Sequence, residues 1–331
     1  MAETFRELGR IAAIRKLFEG TGFRPFEEPL WFEAAQRDCV TTASALLLEG
    51  VDFNLVYFPL PHLGRKAVLR VTGELYAVMA RPRTLSVTLG VSAKLDFPQV
   101  KELWEGIVAA AKEQGYSQLS LDLQPSRNGL TLSLSATGCH EGAVSDARPV
   151  AQSKDLICVS GALGAAYLGL QALERERLKF DQGSTDRGLL EKYKMLVGAY
   201  LRPELDPQAA RQITEAGVAP SFGYFITRGL ADAVLRLSRD SGLGAKIYAD
   251  KIPFESGSVD LAAALGADPV AAAMNGGDDY QLLYVIPIAR YERFRADFQT
   301  FDIIGHLALP EAGTVLVTPD GLEHPISAQG W

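Results

Sequence analysis

Between residues 7 and 19 the apolar side chains fall at Leu8, Ile11, Ile14, Leu17 and Phe18, the spacing of one helix face. Residues 39–48 read as a strand, and 53–58 as an apolar turn region. After Pro59 and Pro61 the helical period returns over 62–78. Residues 86–92 alternate as a strand, 97–114 read as a helix, and 119–123 and 130–136 read as strands joined by the polar loop 124–129. Interleaved helices and strands make the first half mixed α/β.

A polar stretch, 138–154, sets the expected boundary between domains 1–145 and 146–331. Residues 155–160 then form a strand entering Gly161-Ala162-Leu163-Gly164-Ala165-Ala166 and a helix at 165–177. Strand, glycine turn and helix is the layout of many phosphate loops. Glycines that let a helix lie close to a sheet give the same pattern, and no Gly-Lys-Ser/Thr follows to make a P-loop. Helices are expected at 189–200, 207–216 and 230–238, with a strand at 245–248. An Ala-rich apolar helical segment covers 259–274, a β-like run 282–287, and a strand pair 301–321.

The stretch Asn275-Gly276-Gly277-Asp278-Asp279-Tyr280-Gln281-Leu282 stands out from this alternation. Two glycines admit close approach of a ligand to the backbone, and two carboxylates and a ring follow. An acidic turn punctuated by glycine is the plainer reading.

With 331 residues the chain has the length of two domains, and 47% apolar residues can fill a large core. A formal charge of −7 without a Lys/Arg block argues against a nucleic-acid surface. No apolar run is long enough to span a bilayer and no signal peptide is recognisable, so a soluble cytoplasmic protein is expected. The three cysteines are scattered, with neither a disulfide framework nor zinc-ligand spacing.

Asp155-Leu-Ile-Cys-Val-Ser-Gly161, Tyr200-Leu-Arg-Pro203, Lys251-Ile-Pro253 and Gly276-Gly-Asp-Asp-Tyr280 together resemble the thiamine-monophosphate kinase family, of the aminoimidazole-ribonucleotide-synthetase-like superfamily. Leu48-Glu-Gly-Val51, His62-Leu-Gly64 and Lys66-Ala-Val68 fit the same frame in the first half. The resemblance implies a two-domain α/β (α+β) fold, with an N-terminal domain that forms a dimeric β-barrel and a C-terminal α/β domain. It also implies ATP and Mg²⁺ as cofactors, thiamine monophosphate as substrate and a homodimer as the assembly. Phosphoryl transfer rests on positioning and charge neutralisation, and Mg²⁺ is held by carboxylates, so the family's acids are its chemistry.

At these positions the chain departs from the family. The Gly-Asp-Asp loop falls on Phe26-Glu27-Glu28, and Thr-Thr-Asp on Ala43-Ser44-Ala45. Asn-x-Ser-Asp falls on Val71-Thr72-Gly73-Glu74, and Gly-Gly-Asp-Thr-Thr on Ser120-Leu121-Asp122-Leu123-Gln124. Asp-x-Ser-Asp-Gly falls on Phe225-Ile226-Thr227-Arg228-Gly229, and a substrate-side His on Asp52. Carried over residue by residue, Glu28, Glu74 and Asp122 are the implied metal ligands, and Asp122 and Arg228 the implied catalytic pair. Arg148 and Thr227 fall on the nucleotide side, and Asp52, Asp278 and Trp331 on the substrate side. Each also has a plainer reading, such as a solvated acid, a surface ion pair or a chain-end plug. The losses concentrate on metal-binding acids while the frame persists. The expectation is therefore a family member with reduced or lost catalysis. Alternatives are a non-catalytic relative that binds nucleotide or thiamine phosphate, and a structural dimer.

Overall fold

The computed structural model describes residues 10–23, 39–140, 148–183, 188–208, 212, 213, 215, 217–297 and 301–328. The chain divides into two units: Met1–Tyr76 with Ala80–Ser145, and Ala77–Met79 with Asp146–Trp331.

In the first unit, helix α1 (Arg10–Phe18) is followed by β1 (Cys39–Leu48), α2 (Leu60–Ala77), β2 (Arg81–Ser92), α3 (Phe97–Glu113), β3 (Gln118–Ser126) and β4 (Thr131–His140). The four strands form one sheet in the order β1-β4-β2-β3. β2 and β3 run parallel because α3 carries the chain back between them, as parallel neighbours require. β4 lies antiparallel to both β1 and β2, so β3 and β4 do not form a hairpin. Period-two alternation gives the sheet two faces: Leu119, Leu121, Leu123, Leu132, Leu134 and Ala136 are buried, while Ser133 and Ser135 point the other way and are exposed. Asp96 starts α3 with a capping box, its carboxylate accepting from Gln99 N while the Gln99 side chain accepts from Asp96 N. Helices α2 and α3 touch at glycines: a Cβ on Gly64 would lie 2.3 Å from Leu103 O, and one on Gly106 2.1 Å from Pro61 O. The barrel implied by the resemblance is not closed by one chain; the sheet is open, with β1 and β3 at its edges.

The second unit contains β5 (Leu156–Val159), α4 (Ala165–Asp181), α5 (Gly188–Lys192), α6 (Lys194–Leu201), β6 (Phe222–Ile226), α7 (Leu230–Ser241) and β7 (Gly244–Tyr248). It continues with α8 (Ser258–Leu265), α9 (Pro269–Asn275), β8 (Gln281–Ile286), α10 (Tyr291–Asp297), β9 (Asp302–Ala308), β10 (Thr314–Val317) and β11 (Glu323–Pro325). Its seven-stranded sheet runs β11-β10-β7-β9-β5-β8-β6. Ile157, Val159, Ile226, Ile247, Leu283 and Val285 pack with Leu230, Val234 and Leu237 of α7 in the central core.

Several sequence expectations are revised here. The strands of 301–321 both exist, but β7 lies between them, so they are not a pair. The helix expected over 189–200 breaks at Tyr193, and that over 259–274 breaks at Gly266 (φ 68°) before Pro269 starts α9. β6 and β11 were not anticipated: Phe222-Gly-Tyr-Phe-Ile226 has no polar alternation, and β11 is three residues long. Half of the helix expected at 207–216 lies outside the described residues.

Candidate functional site

Three chain segments meet where β5, β6 and β8 exchange with helices. Ser160–Gly164 leads from β5 into α4, Thr227–Gly229 from β6 into α7, and Gly276–Tyr280 from α9 into β8. They are stitched by backbone: Asp278 N donates to Thr227 O and Tyr280 N to Ile226 O, both at 3.0 Å. Ser160 Oγ donates to Gln281 Oε1 at 2.6 Å and accepts from Leu282 N at 2.9 Å. There is no room for a side chain at Gly229, where a Cβ would meet Met274 O at 2.3 Å.

The doublet loop is held in a costly conformation. Gly277, Asp278 and Tyr280 have φ of 80°, 59° and 56°. Left-handed backbone at the two non-glycine residues costs of order 1 kcal/mol each. The buried Tyr280 ring stands edge-on against Phe225, with centroids 5.3 Å apart, and anchors the far end. The result presents Asp278 half-buried at the mouth, while Asp279 turns inward.

Asp279 is buried, and its Oδ1 accepts from Gly164 N at 2.9 Å. It therefore caps the N-terminus of α4 from across the junction. Its Oδ2 is buried without a partner among the described residues. Burial pushes the carboxyl up to about 8, against the lowering effect of the Gly164 and Ala166 amides and with a small further rise from Asp278. The Gly161–Ala166 turn is thus a packing turn whose amides already have an acceptor. A Cβ on Gly164 would also come within 2.8 Å of Ala273 N. The sequence flagged the doublet but not this division of labour; its signal was the second acid standing directly before a buried aromatic.

Arg228 is exposed at the end of β6 and makes no hydrogen bond or ion pair among the described residues. Its Cα lies 3.4 Å from the position a Cβ on Gly277 would take, so cation and doublet loop are neighbours. Thr227 is buried and gives its carbonyl to Asp278. Arg148 is exposed, with Nη2 donating to Val78 O at 2.8 Å. Asp155 is structural: its carboxylate accepts from Gln152 N and Ile288 N, fixing the start of β5.

In the first unit Asp122 sits mid-strand, half-buried on the face shared with Ser120 and Gln124. Its Oδ1 accepts from Leu123 N and its Oδ2 from Gln124 Nε2, at 3.0 and 2.9 Å. Glu74 is half-buried on α2. Asp52 closes the turn after β1, accepting from Leu48 N at 2.7 Å. Glu28 and Trp331 lie outside the described residues. Among those described, no group of three or more His, Cys, Asp or Glu is placed to hold a metal ion. The donors among the described residues do not by themselves fit Mg²⁺.

Residues 32–140 match the family described as AIR synthase related protein, N-terminal domain. The chain is 25% identical over 289 residues to a thiamine-monophosphate kinase of Aquifex aeolicus, covering 87% of this chain and 88% of that one. Residues 32–140 thus carry an AIRS-family domain, and the chain is similar to thiamine-monophosphate kinases over most of its length. The fold agrees: AaThiL complexed with AMPPCP and TMP superposes with a TM-score of 0.71 at 22% identity, over 98% of this chain and 99% of that one. A hydrogenase maturation protein HypE in complex with ATP gives 0.70 at 18% identity, over 96% and 92%. No helix among the described residues is long and apolar enough to cross a membrane.

Proposed function

We propose that this protein binds ATP and thiamine monophosphate as a thiamine-monophosphate kinase does, and that its transfer of phosphate to form thiamine diphosphate is strongly reduced or lost. The observation that carries the reading is similarity to a thiamine-monophosphate kinase along nearly the full length of both chains. In this reading Arg228 takes a phosphate. It is an exposed guanidinium without a competing partner among the described residues, and guanidinium matches phosphate oxygens in a fork. Asp278, presented by the glycine junction, is assigned to the substrate side, as are Asp52 and Trp331. Arg148 and Thr227 serve the nucleotide, with free guanidinium N–H groups of Arg148 left beside the one given to Val78 O. ATP supplies the transferable phosphoryl group; the chain's residues bind and orient it.

Reduced transfer follows from the sequence. Ala45, Phe225 and Arg228 stand where the family has metal-binding acids, and Glu74 is one methylene longer than the aspartate it replaces. Misplacement of a catalytic group by about 1 Å can cost about 100-fold in rate. If Glu28, Glu74 and Asp122 still hold a metal, Glu74→Ala abolishes metal-dependent nucleotide binding; unchanged binding removes that set. Likeness to an ATP-bound HypE supports a second reading, a nucleotide-binding relative that performs no transfer to thiamine phosphate.

A homodimer belongs to the same proposal. The edge strand β1 leaves Val40 and Leu46 more than half exposed on a sheet face that is otherwise Ser/Thr-rich. A second copy laid on that face would bury them and complete the barrel. Isothermal titration with each ligand, alone and together, tests the binding half of the proposal. Saturable binding of thiamine monophosphate that weakens about tenfold or more in Arg228→Asp supports it, as loss of a charge-assisted contact predicts. Absence of binding to the wild type removes it.

A further inference from the structure

The core of the second unit takes Ala245, Ile247, Ile157 and Ile304 from one face of its sheet. The residues that alternate with them face the opposite way, and there they line an open depression of about 420 Å³. That volume lies within the usual range for small-molecule sites, roughly 300–1,000 Å³. Leu156 and Ile303 line it together with a stacked pair, Tyr248 on His306, with ring centroids 5.8 Å apart and planes 30° apart.

Two lysines stand at its rim. Lys154 is held in the left-handed region, φ 78°, by its amide donating to Leu307 O at 2.7 Å. The neighbouring Asp155 is tied twice to other backbone, so Lys154 cannot easily relax. Its exposed ammonium has no ion-pair partner among the described residues. Among the described residues Lys251 pairs only with Asp250, at 3.6 Å on an exposed edge. Lys246, the third cation nearby, is neutralised by an ion pair with Glu323. A flat aromatic wall therefore stands beside two ammonium groups that have little to compensate them.

We infer that this depression binds an aromatic phosphate monoester of about mononucleotide size, its ring against Tyr248 and His306 and its dianionic phosphate between Lys154 and Lys251. A phosphate monoester fits better than a carboxylate because two cations match its double charge. The ring contact adds offset stacking to apolar burial on Leu156 and Ile303. This site is separate from the glycine junction and does not depend on the function proposed there.

The test uses the full chain, AMP as probe, and NMR of the histidine ring protons, with His306 assigned by His306→Asn. AMP produces a saturable shift of the His306 signals, and adenosine and inorganic phosphate alone each bind more weakly. In Lys154→Glu/Lys251→Glu the dissociation constant read from the same signals rises about tenfold or more, as expected when charge-assisted contacts become repulsive. Tyr248→Leu weakens AMP more than inorganic phosphate. His306 signals that do not move with AMP, even while AMP binds elsewhere, overturn the inference. A shift that survives the double charge reversal undiminished does so equally.

Discussion

At the scale of single residues the glycine junction turns on two adjacent acids doing different work. Asp278 is presented outward by left-handed backbone, whereas Asp279 is inside, capping α4 with one oxygen. A carboxyl whose folded-state value is raised to about 8 keeps its proton in the folded chain at pH values where the unfolded chain has lost it. Its contribution to stability is complete below about pH 4 and declines as pH rises towards 8. Asp279→Asn keeps an acceptor for the amides and removes the titration. The melting temperature of this variant relative to wild type should therefore climb between pH 4 and pH 8, and a difference independent of pH would contradict the raised value. Asp279→Ala loses the cap as well and should cost roughly 1 kcal/mol or more at pH 4, read from denaturant unfolding.

At the scale of elements, contact between backbones sets the architecture. α2 and α3 approach so closely that methyl groups on Gly64 or Gly106 would run into carbonyl oxygens, and backbone cannot step aside as a side chain can. Gly106→Ala should destabilise the protein by roughly 1–3 kcal/mol through forced separation of the helices, with urea denaturation as the measure. A loss below a few tenths would mean that the two helices slide freely. Asp96→Ala, which removes the capping box of α3, should cost about 1 kcal/mol in the same assay. These features also show what could be read in advance. The helices and strands with clear periodicity, among them 39–48, 62–78 and 97–114, emerge within a few residues of their expected bounds. Strand order does not follow from periodicity. β10 and β9 look like a hairpin because 309–313 is short, yet β7 enters between them from far away in sequence. β6, an edge strand, went unread because Phe222-Gly-Tyr-Phe-Ile226 has no polar alternation and its last three residues are all buried. The doublet and its glycines were visible, but their roles depend on φ values and on which carboxyl turns inward, and those come from long-range packing against Phe225 and Gly164.

At the scale of the molecule, the fold matches solved thiamine-monophosphate kinases, while the proposal of reduced transfer rests on what stands at a few positions. Ala45 lies half-buried on β1, in register with Leu134 of β4. Phe225 is fully buried against Tyr280, where an acid would carry a heavy desolvation cost. Phe225→Asp should therefore destabilise this chain by an amount measurable in thermal melts; an unaltered melting temperature would show that the surroundings of residue 225 accommodate charge. The open sheet face of the first unit sets a further expectation at this scale. Sedimentation should show a dimer, and Leu46→Lys, which places charge on that face, should shift it towards monomer.

The most direct test of the account is formation of thiamine diphosphate from ATP and thiamine monophosphate with Mg²⁺. Product would be quantified by chromatography, beside a thiamine-monophosphate kinase and beside Asp122→Ala of this chain. Ligand-saturated protein should make product about 100-fold more slowly than the comparison enzyme, or not at all above the Asp122→Ala background. Turnover matching the comparison enzyme, abolished by Asp122→Ala, would contradict it and would mean that the substituted acids support full catalysis.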